Sequence, residues 1–273
     1  MENNRENVKL GFVWLSFIIY LALFWLGSVI LEQKQLVWLL LEIYVLGIDA
    51  FILYKYRFPK QNSLLVAVVL SGIYAVSEII HLNPLSIFNI GLVFLSICAV
   101  NVTFERFPNS ALKWFKEFSK NGILKSISIG ILFGLIWGAI NYLLMVSSNQ
   151  LQPANVLKAF VLSLSPAIIE EIAYRTVFYA FCLIELCGRV QTKWQTFTIY
   201  VMMTIPHILP HTVDCFKNGF LSGLIEWVIT TILYLLVFGL VFAMLQRKRD
   251  ISSAMIAHGA VDFMRFCLFG LPF

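Results

Sequence analysis

Charge is what this chain has least of. Only 13% of its 273 residues are Asp, Glu, Lys or Arg, and 60% are hydrophobic. Soluble domains carry about 25% charged and about 45–50% apolar residues. That shortage excludes an ordinary water-soluble domain, and the mean hydropathy of +0.84 agrees. The chain also lacks paired cysteines. Its five (Cys98, Cys182, Cys187, Cys215, Cys267) are scattered, with no CxxC and no Cys/His cluster. They read as apolar packing thiols. No internal repeat, low-complexity tract or soluble domain is evident, and no HExxH helix is present. The N-terminus is polar up to Lys9 and then apolar, without a small-residue cleavage site. A first membrane helix is expected there, not a removable signal peptide. The excess Lys and Arg behind the net charge of +5 read as orientation signals, not as a nucleic-acid surface.

What is there is apolar sequence in long runs. A spanning helix needs ~20 mainly apolar residues. That rule yields about nine segments, approximately 10–31, 35–54, 62–81, 85–104, 124–147, 156–185, 194–213, 219–246 and 251–271. The expected fold is an all-α, polytopic membrane helix bundle with about 8–9 transmembrane helices, its partner a lipid bilayer. Loops rich and poor in Lys and Arg alternate. Arg5 and Lys9 precede the first segment, and Glu32 and Lys34 the second. Lys55, Arg57 and Lys60 precede the bare turn at Leu82–Pro84. Arg106, Lys113, Lys116, Lys120 and Lys125 precede the uncharged Ser147–Pro153. Arg189 and Lys193, the pair Asp214 and Lys217, and Arg247–Arg249 follow. The positive-inside rule then places the N-terminus in the cytoplasm and, with nine spans, the C-terminus outside. Between the spans, Leu112, Phe115 and Phe118 recur at helical spacing among three lysines. An interfacial amphipathic helix is expected over 111–120.

Some polar groups inside the spans read as structural. Asn89, Asn101 and Asn141 suit interhelical hydrogen bonds. Glu42 and Asp49 lie seven residues apart and share a helix face. An ion path would use such a pair. The simpler expectation is that Glu42 faces a cavity or a neighbouring helix and Asp49 sits nearer the cytoplasmic end. Glu78 and His81 lie at a segment end, where solvation is cheap. Glu226 stands alone in its segment.

Three polar clusters in the C-terminal half are harder to dismiss. They are Glu170-Glu171-x-x-x-Arg175, then His207 followed by His211, then His258-x-x-x-Asp262. A charge at mid-bilayer costs from ~2.5 to more than 10 kcal/mol, so such groups are paired or used. Residues four apart share a helix face. Glu171 and Arg175 are thus expected to pair, with Glu170 pointing elsewhere. His258 and Asp262 share a face that Arg265 continues, and Gly259 and Ala260 permit close helix approach beside the histidine. A buried carboxylate and two histidines from three helices suit water activation. The histidines would stabilise an oxyanion, or complete a metal site with the glutamate.

The three motifs, in this order and in separate spans, resemble the CPBP family of intramembrane proteases, also called the CAAX prenyl protease 2 or Abi (bacteriocin self-immunity) family. The resemblance covers roughly residues 125–271. It implies a catalytic core within 123–273, preceded by N-terminal helices and the amphipathic segment in 1–122. It also implies roles. Glu170 would be the general base on the attacking water. His207 would assist that water or bind metal. His258 and Asp262 would form the oxyanion side, and Glu171 and Arg175 would brace the site. A metal-dependent version would use Glu170, His207 and His258, with zinc as the metal; a metal-free, glutamate-dependent version is equally compatible. Two departures stand out. Met203 replaces the family's usual Phe, apolar for apolar. Asp262 replaces its usual Asn, and an ionised Asp cannot donate a hydrogen bond to an oxyanion. Asp262 must stay protonated, orient His258, or pair with Arg265, and that last pairing would count against activity. His211, one turn on, rivals His207 but lies nearer the segment end.

The implied function is an intramembrane endopeptidase acting on a membrane-associated protein or peptide, in a bacterial cell membrane, without nucleic-acid partners. Two rivals remain. One is a non-catalytic bacteriocin-immunity or maturation protein of the same family. The other is a proton-coupled carrier using Glu42, Asp49 and Glu226, against which the motif order argues.

Overall fold

A computed structural model of the chain describes residues 2–31, 33–81, 84–147, 150–217 and 219–271, with the side chains of 2–9 and of His81 outside that description. The expectations placed on Arg5, Lys9, Glu32, His81 and the Leu82–Pro84 turn therefore fall wholly or partly outside the described residues. The elements run α1 (Glu2–Trp25) with a π-turn (Leu26–Ile30), α2 (Lys34–Tyr56), α3 (Gln61–Glu78), α4 (Pro84–Arg106), α5 (Lys120–Met145) and α6 (Val156–Glu171). A π-turn (Ile172–Thr176), α7 (Val177–Glu185), α8 (Lys193–Ile208) and a 3₁₀ segment (Leu209–Phe216) follow. Then come α9 (Phe220–Tyr234), a π-turn (Leu235–Gly239), α10 (Leu240–Lys248) and α11 (Ile251–Phe269). No strand occurs among the described residues. The all-α class is as the apolar periodicity required.

Among the described residues, six helical stretches are long and apolar enough to cross a membrane: Leu10–Ile30, Lys34–Tyr56, Gln61–Glu78, Pro84–Arg106, Lys120–Met145 and Phe220–Lys248. The other three expected segments are also helical, but each carries one of the polar motifs. Segment 156–185 is interrupted by the π-turn, 194–213 ends in 3₁₀ geometry, and α11 is diluted by His258, Asp262 and Arg265. Their polar content is as expected where a membrane helix lines protein instead of lipid.

Contacts group the chain into two compact units. The first comprises 1–65, 95–111 and 172–243, and the second 66–94, 112–171 and 244–273. The units interleave along the chain.

In the first unit α7 is buried on every side from Val177 to Ile184, so it is a central helix. Tyr20 of α1 donates to the Pro206 carbonyl of α8 at 3.0 Å, and its ring stacks on Tyr44 of α2 at 5.1 Å. Asn101 makes the expected interhelical bond, donating to the Ser63 carbonyl at 2.9 Å. Asp49 is fully buried and accepts from Ser96 Oγ at 2.6 Å. Glu226 lies exposed on α9. Where the 3₁₀ segment meets the loop, Lys34 and Lys217 reach Asp214 at 3.1 and 3.2 Å. Partial burial pulls that carboxyl upward, but the two lysines outweigh it and hold it below the usual carboxylate value. Its contribution is therefore present at neutral pH and lost as pH falls through the lowered value. Half-exposed as it is, that contribution is small.

The second unit is organised by close approach of α5 and α11. Gly130, Gly134 and Gly138 form a stripe four residues apart on α5. A Cβ on Gly130 would meet Ile256 Cβ at 2.8 Å and the Ser253 carbonyl at 2.9 Å. One on Gly134 would collide with Ala260 Cβ and the Ala257 carbonyl, and one on Gly138 with Met264 Sδ. Small residues let the two backbones pack directly, the usual source of membrane helix association. On α11, Gly259 faces Ala167 of α6, whose Cβ would lie 3.1 Å from an added methyl. His258 thus enters between two tightly seated helices of its own unit.

The expected amphipathic helix is absent. Residues 111–119 are irregular, and α5 begins at Lys120 behind the Ser119 cap. Tertiary capping overrides the local pattern. The carbonyls of Lys113 and Trp114 accept from Ile251 N (2.9 Å) and Ser252 N (3.1 Å), two of the orphan donors opening α11. A continuous helix would have used those carbonyls internally. Asp250 completes the junction, fully buried. It accepts from Ser253 N and Ser126 Oγ at 2.7 Å each and from Lys116 N at 3.1 Å, with Arg249 Nε at 3.3 Å. Asp250→Ala strands these buried donors and is expected to cost about 3 kcal/mol or more. The midpoint of thermal aggregation in detergent should drop by roughly 6 °C or more; an unchanged midpoint would refute the role of this junction.

Candidate functional site

The six expected site residues fall into two groups, one in each unit. In the second unit, α6 and α11 carry Glu170, Glu171, His258 and Asp262. Pro166, inside α6 and one turn before Glu170, removes a backbone donor. Immediately after Glu171 the backbone passes into the π-turn, a feature that is frequent at functional sites.

Three carboxylates converge on one imidazole. His258 Nδ1 lies 2.7 Å from Glu171 Oε1. His258 Nε2 lies 3.3 Å from Glu170 Oε2 and 3.3 Å from Asp262 Oδ2. The expectation that Glu170 diverges from Glu171 is thus corrected. Adjacent helical residues do point apart, but an imidazole has nitrogens on two edges, and His258 stands where each glutamate meets one of them. A carboxylate only accepts, so the Nδ1 hydrogen is donated to Glu171. The other edge of the ring faces the two remaining carboxylates. Asp262 takes up two of the arrangements open to it. Oδ2 approaches His258, and Oδ1 stands 3.5 Å from Arg265 Nη1 at the more exposed edge of the cluster. The face shared by His258, Asp262 and Arg265 is as the spacing required.

In the first unit, Arg175 is almost wholly buried. Its Nε donates to the Met203 carbonyl of α8 at 3.3 Å, and its guanidinium lies over Phe242 at 5.6 Å. Arg175 sits within the π-turn. His207 is buried in α8 directly after Pro206, while His211 lies exposed in the 3₁₀ segment. Their Nε2 atoms are 3.3 Å apart. Trp38 packs edge-on against His211 at 4.9 Å, and Tyr174 lies against His207 at 5.9 Å. Tyr174 also donates to buried Glu42 at 3.4 Å, which therefore faces a neighbouring helix as expected. The choice between His207 and His211 becomes a pair.

One residue that sequence reasoning missed belongs to this arrangement. Gln246, near the end of α10, is almost fully buried and binds Glu171 through its side-chain amide. A lone amide closing the apolar run Leu240–Leu245 carries little signal by itself. Arg247, Lys248 and Arg249 follow at once and make it look like the start of a polar loop.

These observations define a class: a polytopic helical membrane protein with a carboxylate–histidine cluster set among broken helices. Residues 150–264 match the family model described as type II CAAX prenyl endopeptidase Rce1-like. The match runs from just before α6 into α11 and agrees with the motif resemblance to the CPBP family. The family is one of membrane CAAX-type proteases. No curated protein and no solved structure matches the chain.

Proposed function

We propose that this chain is an intramembrane endopeptidase that hydrolyses a peptide bond in a membrane-associated protein or peptide of a bacterial cell membrane. The observation that carries the reading is the seating of His258 between Glu170, Glu171 and Asp262. Glu170 takes a proton from water, and the water oxygen attacks the scissile carbonyl carbon. The resulting oxyanion accepts a hydrogen bond from His258 Nε2–H in the doubly protonated imidazole. The C–N bond then breaks as the proton held by Glu170 passes to the leaving nitrogen. Glu171 holds the Nδ1 side of the ring. Asp262 aligns the Nε2 side and, as an acceptor, does not itself replace a donor. Arg175 anchors the π-turn to α8.

Histidines 207 and 211 suit two roles. The first is positioning of water or substrate. The second is metal ligation, because two nitrogens bound to one tetrahedral zinc at ~2.0–2.1 Å would stand about 3.3 Å apart, the separation found here. They would hold such an ion, and when bound it would supply Lewis-acid polarisation. His207→Ala is expected to lower the cleavage rate by about 100-fold or more, and His211→Ala by less than about 10-fold, since His211 lies at the exposed end. Equal losses, restored by added zinc in the single variants, would instead assign the pair as joint ligands.

A second reading is favoured by one contact. The approach of Arg265 to Asp262 supports a non-catalytic immunity or maturation protein, in which the cluster only ties helices together. Quantitative N-terminal sequencing of the membrane proteome separates the two. Cells carrying wild type are compared with cells carrying Glu170→Gln at matched expression. New N-termini seen only with wild type support proteolysis and name the substrate. Identical N-termini, with the biological effect retained, would leave the non-catalytic reading.

A further inference from the structure

Glu171 has no contact with solvent. Gln246 holds its carboxylate in place. Its Nε2 donates to Glu171 Oε2 at 2.8 Å and to the Glu171 backbone carbonyl at 2.9 Å. The two amide hydrogens go to two acceptors on the same residue. Turning the amide over would place its oxygen against both of them, so the orientation is set. With Oε2 held by Gln246, Oε1 is the oxygen left for His258, and it lies 2.7 Å from Nδ1. The carbonyl that Gln246 caps belongs to the last residue of α6, where the helix passes into the π-turn. The same amide therefore secures both the backbone and the carboxylate.

We infer that Gln246 is a positioning residue: by clamping Glu171 it fixes the Nδ1-protonated orientation of His258 and directs Nε2 toward Glu170 and Asp262. Its consequence for catalysis rests on the endopeptidase reading, whereas its effect on the imidazole does not. The residue type is specific. Glutamate at 246 would add a fourth carboxylate, methionine would keep the volume but lose both donors, and lysine would bring a full charge to Glu171.

The test uses full-length protein in lipid nanodiscs with ¹⁵N-labelled histidine. The chain has four histidines, and the His258 signals are assigned by their loss in His258→Gln. Wild type should show a strongly deshielded Nδ1–H for His258. In Gln246→Met that proton should move upfield or exchange away, while the other three histidines keep their shifts and report an intact fold. Against a cleaved membrane peptide, kcat should fall by about 10- to 100-fold with KM unchanged, the scale found for partners that orient a functional histidine. An unchanged His258 signal in a folded Gln246→Met overturns the inference whatever the activity. So does a wild-type His258 carrying its proton only at Nε2, a result that needs no variant to fold. If the His258 signal responds to the substitution while neither protein cleaves, the clamp stands and the endopeptidase reading fails.

Discussion

Glu170→Gln is expected to lower peptide cleavage by about 10²–10⁴-fold, the range typical of losing a positioned base. The substitution keeps the side-chain volume and keeps a polar group facing His258 Nε2, where Glu170 Oε2 now stands at 3.3 Å. It removes the negative charge and, with it, the capacity to take a proton. Thermal stability and expression should therefore stay near wild type, which separates a chemical loss from a structural one. Glu170→Asp supplies the companion measurement. It retains a base but withdraws it by one methylene, so the acidic limb of the pH–rate profile should shift as well as the rate falling. A Glu170→Gln enzyme with wild-type turnover would remove Glu170 from the mechanism. An unshifted limb in Glu170→Asp would assign the limb to another group.

The second large effect is structural. Gly134→Leu should separate α5 from α11 and abolish accumulation of folded protein. Even the smallest addition would place a methyl against Ala260 Cβ and 2.9 Å from the Ala257 carbonyl. Overpacking costs typically ~1–3 kcal/mol where side chains can shift, and here part of the obstruction is backbone. Gly134→Ala is the graded version and should cost about 2 kcal/mol or more. The double variant Gly134→Ala with Ala260→Gly should recover part of that loss, because it removes the methyl–methyl collision and leaves the carbonyl contact. Since α11 also carries His258, activity should follow stability through this pair. A stable Gly134→Leu protein would disprove the packing. Equal stability of the single and double variants would show that Ala260 is not the obstacle.

The two effects differ in how far each was legible. The Glu170 prediction begins in the sequence, because three charged or imidazole-bearing motifs inside apolar runs are too costly to be incidental. The glycine stripe was also present there, at Gly130, Gly134 and Gly138. Its meaning depended on which helix faced it, and spacing within one helix does not name a partner. Asp250 and Gln246 were hidden for a related reason. Each lies beside the Arg247–Arg249 basic run, where polar residues ordinarily belong to a solvated loop. Only their burial against Ser126 and Glu171 sets them apart.

The failed expectations have the same origin. The 111–120 segment has helical periodicity, yet its carbonyls are taken by the start of α11. Helix propensity is a local free energy of a few tenths of a kcal/mol per residue, and buried donors in need of acceptors outweigh it. Glu170 and Glu171 diverge by helix geometry, yet both reach His258, because the imidazole presents a nitrogen on each of two edges.

By itself, then, the sequence determined the membrane class, the helical fold and which polar residues are too costly in apolar runs to be incidental. Those follow from composition, run length and the cost of charge in an apolar medium, all of which are properties of the chain before it folds. The tertiary structure alone decided that Glu171 and not Glu170 takes the Nδ1 side of His258, that Gln246 clamps it, and that α5 admits α11 through glycine. Those depend on distances between residues far apart in the chain. Hydrogen bonds and close packing act over a few ångströms, so no local pattern encodes them.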